Sequence, residues 1–262
     1  MSLPGNFLGG LAAFAAERRC AACASVFMPS SRTDPPSAFY CPSCAKRLQR
    51  RQQGCCPLCG APAPWPQAPS ALCSSCLEKA PPWKQAFFHA PYEDLLRELI
   101  LRFKFQGQLA LALPLGSLLA SHPDLAACPA QVIIPIPLPA KRLAQRGFNQ
   151  ALELARPLAR RLGKPLDAGL LLRVRQTEPQ PGLSRAERFR NLAQAFSAPR
   201  PLELQGRHVL LLDDIMTSGA TLRAAGATLR AARAASVAVA ALARTPEQLS
   251  APAGQQLQGI AD

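Results

Sequence analysis

Between Val209 and Leu222 the chain reads V-L-L-L-D-D-I-M-T-S-G-A-T-L, and this stretch restricts the fold more than any other. Four consecutive apolar residues, Val209 to Leu212, make the short unbroken run expected of a strand buried on both faces, as in a parallel sheet. Asp213 and Asp214 follow where such a strand should leave the core. Thr217, Ser218, Gly219, Ala220 and Thr221 then form a small, hydroxyl-rich turn ahead of an Ala/Leu/Arg segment with a helical pattern to about Arg233. Gly219 lets backbone approach an anion closely, and the hydroxyls of Thr217, Ser218 and Thr221 add donors. The following helix start contributes free N–H groups and the positive end of its dipole. Adjacent carboxylates can accept hydrogen bonds from both hydroxyls of a ribose. The pattern predicts a sugar-phosphate site; the alternative is an ordinary buried strand with an acidic helix cap.

Cysteine spacing is the second constraint. Eight of the ten cysteines form the pairs Cys20/Cys23, Cys41/Cys44, Cys56/Cys59 and Cys73/Cys76, spaced C-x2-C-x17-C-x2-C and then C-x2-C-x13-C-x2-C. Each set fits a zinc ribbon, in which two knuckles place four thiolates around one Zn²⁺. Redox and disulfide roles are the competing readings. Pairing of the sets is sequential or cross-braced. Gly60, directly after Cys59, suits a knuckle turn that needs positive φ. So little apolar sequence surrounds these pairs that two structural zinc ions would supply most of the folding free energy there. Cys55 and Cys128 fall outside the pattern. The formal charge of +14 drops to roughly +10 once eight thiolates and two zinc ions are counted. A balance that basic favours polyphosphate or nucleic-acid partners without choosing between them. Lys46, Arg47, Arg50 and Arg51 between the ribbons are either a solvated face or a nucleic-acid platform.

The chain divides into a double zinc ribbon over 1–80, an α/β domain over 81–245 and a polar tail over 246–262, with Pro81-Pro82 as the linker. Leucine spacing predicts helices around 95–105 and 109–121. Val132 to Pro137 is a buried strand whose prolines impose an extended exit. A basic, glycine-containing loop from Lys141 through Arg142 and Arg146 to Asn149 follows, opening a helix to about Leu162. Residues 170–190 hold a short strand and then a loop with Arg173, Arg175, Arg185, Arg188 and Arg190, which is a closing lid or disorder. Ser236 to Leu242 is a further buried strand, with Arg244 at its exit. The N-terminal apolar residues precede Arg18 and Arg19, the reverse of a secretory signal, and no run is long enough to span a bilayer. A cytoplasmic protein without membrane insertion is expected.

The pieces L-R-F-K-F-Q-G (101–107), R-G-F-N-Q-A (146–151), R-x-T-x-P-Q-x-G-L-S-R-A-E-R (from Arg175) and L-L-L-D-D-I-M-T-S-G-A-T-L, behind four C-x-x-C pairs, resemble the ComF/GntX family from Cys20 to Arg244. The resemblance implies a type I phosphoribosyltransferase-like parallel sheet flanked by helices, with an N-terminal double zinc ribbon. It also implies a site for 5-phosphoribosyl-1-diphosphate (PRPP) with Mg²⁺. The 5-phosphate would lie on Thr217 to Thr221, the ribose by Asp213 and Asp214 as catalytic residues, and the diphosphate by Lys141, Arg142 and Arg146. Arg175 and Arg185 would close from the lid. Purine phosphoribosyltransferases carry Asp in place of Thr217, which argues against purine salvage. Orotate enzymes share the Thr but lack zinc ribbons and the arginine-rich loop.

Two functions from different classes follow. One is phosphoribosyl transfer to an unknown acceptor, linked through the family to DNA uptake in natural transformation. The other is a non-catalytic, PRPP-sensing module that binds single-stranded DNA beside the uptake helicase or recombination machinery. Trp65 and Trp83 are the first aromatics to test for base stacking. His89, His122 and His208 have no catalytic pattern around them.

Overall fold

A computed structural model describes residues 17–31, 36–50, 54–61, 69–175, 192 and 194–245. The segment before Glu17, Trp65, Arg185 with most of the arginine-rich loop, and the 246–262 tail lie outside the described residues. In chain order the strands are β1 (Arg18–Arg19), β2 (Val26–Phe27), β3 (Gln85–Pro91), β4 (Val132–Pro135), β5 (Leu172–Arg173), β6 (Phe196–Ser197), β7 (His208–Met216) and β8 (Ser236–Arg244). The α-helices are α1 (Pro42–Arg47), α2 (Ser74–Glu78), α3 (Asp94–Phe105), α4 (Ala112–Ala120), α5 (Ala140–Arg146), α6 (Gln150–Leu162), α7 (Pro201–Leu204) and α8 (Ala220–Ala231).

The core is a four-stranded, wholly parallel sheet in the order β3-β8-β7-β4. Its central strands are apolar on both faces, as a sheet covered by helices requires: Val209 to Leu212 and Val237 to Ala243 are buried throughout. Helices α4 and α6 pack on each other and on the sheet, while α8 packs on β7, β8 and β6. Right-handed crossovers explain the two layers, because β3 to β4 runs across the sheet in one direction and β7 to β8 in the other. The α4/α6 crossing is close. A Cβ on Gly116 would stand 2.8 Å from the Leu154 carbonyl oxygen and 2.3 Å from Pro157 Cγ.

Three elements differ from expectation. β7 continues through both aspartates to Met216, because β8 keeps pairing with it as far as Met216↔Arg244. The basic loop is the short helix α5, closed by Gly147 in the left-handed conformation at φ 77° before Asn149 caps α6 by accepting from the Ala151 N–H at 3.0 Å. The edge strand β3 was not expected, since Q-A-F-F-H-A-P lacks a clean apolar alternation. Pro82 and the buried Trp83 lie against Gly226 of α8, and Trp83 Nε1 donates to the Leu58 carbonyl at 2.6 Å.

Among the described residues the eight paired thiols gather as Cys20/Cys23/Cys41/Cys44 and Cys56/Cys59/Cys73/Cys76, so the sets are sequential rather than cross-braced. The two knuckles repeat one geometry. Cys20 N–H donates to Ser25 O and Ala24 N–H to Cys20 O; Cys56 N–H donates to Ala61 O and Gly60 N–H to Cys56 O. Gly60 has φ 66° and Ala24, at the equivalent place, φ 61°. An alanine is strained there by about 1–2 kcal/mol. Replacing exposed Ala24 by Gly should therefore stabilise the first knuckle by roughly 1 kcal/mol after the added chain entropy of glycine. Slower release of one zinc ion to a competing chelator is the measurement.

Candidate functional site

Topology marks the site before any side chain is considered. After β4 the chain passes through α6 to residues 165–167, which bridge to Ile133 on the outer edge of β4. After β7 it passes through α8 to β8, on the opposite side. The two connections depart in opposite directions, which opens a crevice at the carboxyl ends of β4 and β7. β4 pairs only as far as Leu212 of β7. Beyond that, Pro135, Pro137 and Pro139 deny it ladder donors, and the last bond is Ile136 N–H to Leu212 O at 2.8 Å. Asp213 and Asp214 come next on β7, at the mouth of that crevice.

Successive strand residues point to opposite faces, so the two acids do not form a matched pair turned one way. Asp214, 9 % exposed, is held by Lys104 Nζ of α3 at 2.7 Å and accepts from the Ile215 N–H at 2.6 Å. That salt link occupies one oxygen of the acid expected to face a sugar. Asp213 is partly exposed, with one oxygen accepting the Asp214 N–H at 2.8 Å. Desolvation and the neighbouring Asp214 carboxylate push the Asp213 carboxyl up to about 7, against the opposing pull of Lys104, the Asp214 N–H and Arg173. A carboxylate costly to ionise in the free protein invites a ligand that brings hydroxyl donors or a cation.

The turn after β7 enters α8 through small and hydroxyl-bearing residues. Gly219 caps α8 in the left-handed conformation at φ 73°, and a Cβ there would also stand 2.5 Å from Met216 Cε. No acidic residue lies in the first turn of α8. Ser218 Oγ is 3.4 Å from the Ala220 N–H, too long for a strong cap. Thr217 is exposed, Ser218 and Thr221 are half-buried, and Gly219 and Ala220 are buried beneath them.

On the other side of the crevice, α5 carries Lys141, Arg142 and Arg146. Arg146 Nη1 donates to Gln150 Oε1 at 3.0 Å, and its guanidinium lies 5.0 Å from the Phe105 ring centroid. Burial lowers its pKa, with Asp214 opposing and Arg142 adding to that shift. Lys141 is exposed at the helix start. Arg173 of β5, over the Phe196 ring at 5.5 Å, is electrostatically coupled to both Asp213 and Arg142. Arg175 is exposed at the edge of the described loop.

Lys104 and Phe105 had no role in the sequence reading. Their signal was the L-R-F-K-F-Q-G motif itself, which ends α3 beside R-G-F-N-Q: Phe103 and Phe148 rings stack tilted with centroids 5.3 Å apart. The histidines lie elsewhere. His89 is buried with Nε2 on the Leu48 carbonyl at 2.8 Å, His122 Nε2 is 3.4 Å from Arg50, and His208 Nδ1 is 2.7 Å from Ser236 Oγ. Buried Trp83 cannot stack on a base.

The thiol clusters suit zinc. Around a tetrahedral ion with Zn–S near 2.3 Å, neighbouring sulfurs stand about 3.8 Å apart. Cys23 and Cys41 Sγ are 3.8 Å apart, and Cys59 and Cys73 Sγ 3.5 Å. Cys41 and Cys73 sit at the N-caps of α1 and α2, which places thiolates at positive helix ends. Either set could hold a zinc ion.

Fold and site together define a type I phosphoribosyltransferase-fold protein with two four-cysteine clusters ahead of the sheet. A family model described as "Phosphoribosyl transferase domain" matches residues 149–258. "DNA utilization protein YhgH" of Salmonella typhimurium is 36% identical over 210 residues, covering 78% of this chain and 90% of that one. "Competence protein F" of Haemophilus influenzae is 35% identical over 201 residues (70% and 87%), and "Competence protein ComFC" of Bacillus subtilis 32% over 222 (80% and 86%). The chain belongs to the ComF/GntX family. No helix among the described residues is long and apolar enough to cross a membrane.

Proposed function

We propose that the crevice binds PRPP with Mg²⁺, and that the protein serves DNA uptake or use, as the names of its relatives say of them. The observation that carries this reading is the switch-point crevice with partly exposed Asp213 on one strand end and, beside it, the start of α8 with no acidic residue in its first turn. The 5-phosphate would accept from the Thr217–Thr221 turn and the start of α8, which offer N–H groups and hydroxyls in a positive field. Asp213 would accept from the ribose hydroxyls. Asp214, fixed by Lys104, would act by holding the strand end and balancing charge. Arg142 and Arg146, with Lys141 and the loop residues Arg175 and Arg185, would offset the diphosphate, whose charge grows as it leaves. Mg²⁺, as part of the substrate, would join the diphosphate oxygens and favour their departure.

Transfer to an acceptor is one outcome of that binding. Sensing is the second reading, and one observation favours it. The chain carries a formal charge of +14, a balance that favours an anionic partner such as nucleic acid. Single-stranded DNA, held by Arg and Lys along the backbone, would then be a partner rather than a substrate. PRPP-dependent release of pyrophosphate, assayed with nucleobases and with single-stranded oligonucleotides, separates the two. Release above background establishes transfer, and PRPP binding without release establishes the sensor. A DNA affinity that falls steeply with salt is expected in both cases.

A further inference from the structure

Arg244, the last residue of β8, is 4 % exposed, and its described partners are all neutral oxygens. Nε donates to the Cys59 carbonyl at 2.9 Å, inside the second thiol cluster. Nη1 reaches the carbonyls of Met216 at 3.3 Å, of Thr217, and of Thr245 at 2.7 Å, with Thr245 Oγ1 at 3.4 Å. Its two hydrogens are therefore shared among several acceptors. A guanidinium is rigid and planar, so its contact with Cys59 cannot shift without moving its contacts with the turn.

Those contacts fix more than carbonyls. In a planar trans peptide the C=O of one residue points opposite to the N–H of the next. Holding Met216 O and Thr217 O against Arg244 turns the N–H groups of Thr217 and Ser218 to the opposite side, away from the guanidinium. The cation itself adds a positive field from behind. On the far side, the Cys59 carbonyl is held by its knuckle. Gly60 N–H bonds to Cys56 O at 2.8 Å, and Phe88 of β3 lies so close that a Cβ on Gly60 would be 2.5 Å from its ring.

We propose that Arg244 is a positioning residue that couples the second cluster, Cys56/Cys59/Cys73/Cys76, to the phosphate turn. Metal in that cluster holds the Cys59 carbonyl, the carbonyl holds Arg244, and Arg244 aims the donors of the turn. This rests on the reading that the turn binds the 5-phosphate of PRPP. Linkage makes the coupling reciprocal, so PRPP must tighten zinc in the second cluster as zinc tightens PRPP.

The test uses the full-length, zinc-loaded protein. Zinc release to a chromogenic chelator is followed with and without Mg–PRPP, beside a direct calorimetric titration of Mg–PRPP. One of two release phases should slow about fivefold or more with PRPP, the usual range of such couplings, while the other stays unchanged as an internal control. In Arg244→Lys, which keeps the charge but not the fork, the slowing should vanish and PRPP should bind more weakly. PRPP binding to the wild type with both phases unchanged, or with equal slowing in Arg244→Lys, overturns the coupling. No PRPP binding at all overturns the underlying reading and the coupling with it. If Arg244→Lys does not fold, the wild-type release rates decide alone.

Discussion

Replacing Asp213 with Asn should stabilise the ligand-free protein above pH 7 and flatten its stability between about pH 4 and 7. The Asp213 carboxyl is raised from 3.8 to about 7 in the folded chain by desolvation and by Asp214. Across that window the folded state holds more protons than the unfolded state, so stability falls as pH rises and levels off above 7. The full shift corresponds to roughly 4 kcal/mol. Because Asp213 keeps a partly exposed side, about 2 kcal/mol is expected from urea unfolding at pH 8. The same substitution should weaken Mg–PRPP binding about 100-fold, since hydrogen bonds to a charged partner contribute about 1.5–3 kcal/mol each. Gained stability with lost binding is the signature of a group kept for its ligand. A variant less stable at pH 8 would mean that Asp213 serves the strand end instead.

Stripping both zinc ions should have the larger structural effect. Zinc contributes about 10–16 kcal/mol to folding in zinc-finger peptides, and the described residues between 17 and 79 bury few apolar side chains apart from their thiols. That segment should unfold, and the damage should spread. Leu48, Leu58 and Cys59 supply the carbonyls that hold His89, Trp83 and Arg244, and Arg102 Nη1 reaches the Ala22 carbonyl at 2.7 Å. Uncovering Trp83, which bonds to Leu58, and Phe88, which lies against Gly60, removes up to about 1.5–3 kcal/mol of burial each. At about 2–4 °C per kcal/mol for a chain of this size, the melting midpoint should fall by roughly 10 °C or more. Calorimetry before and after chelation measures it, with elemental analysis expected to find two zinc ions per chain. An unchanged midpoint after full removal would show that the cysteine-rich segment lends the sheet no support.

Much of this arrangement was legible in the residues because single strong signals carried it. Unbroken apolar runs gave β4, β7 and β8, Gly60 gave the knuckle turn, and C-x-x-C spacing gave both clusters. What escaped the reading depends on partners distant in sequence. β7 runs through its acids because β8 continues beside it, not because of any local preference. Lys104 could not be assigned to Asp214, 110 positions away, from a helix-end motif alone. Arg244 looked like a strand terminus, and only the packed fold shows its guanidinium between Cys59 and Thr217. The helix α5 was hidden because three basic residues and a glycine read equally well as a loop.

The central claim is that the turn at Thr217–Thr221 receives the 5-phosphate of PRPP while Asp213 receives its ribose. Calorimetric titration of Mg–PRPP into the wild type and into Gly219→Val tests it most directly, because a β-branched side chain is strained at φ 73°. One PRPP per chain, displaced by ribose 5-phosphate and lost in Gly219→Val while both zinc ions stay bound, is the predicted result. Equal PRPP affinity in the two proteins, or no heat with the wild type, would contradict it.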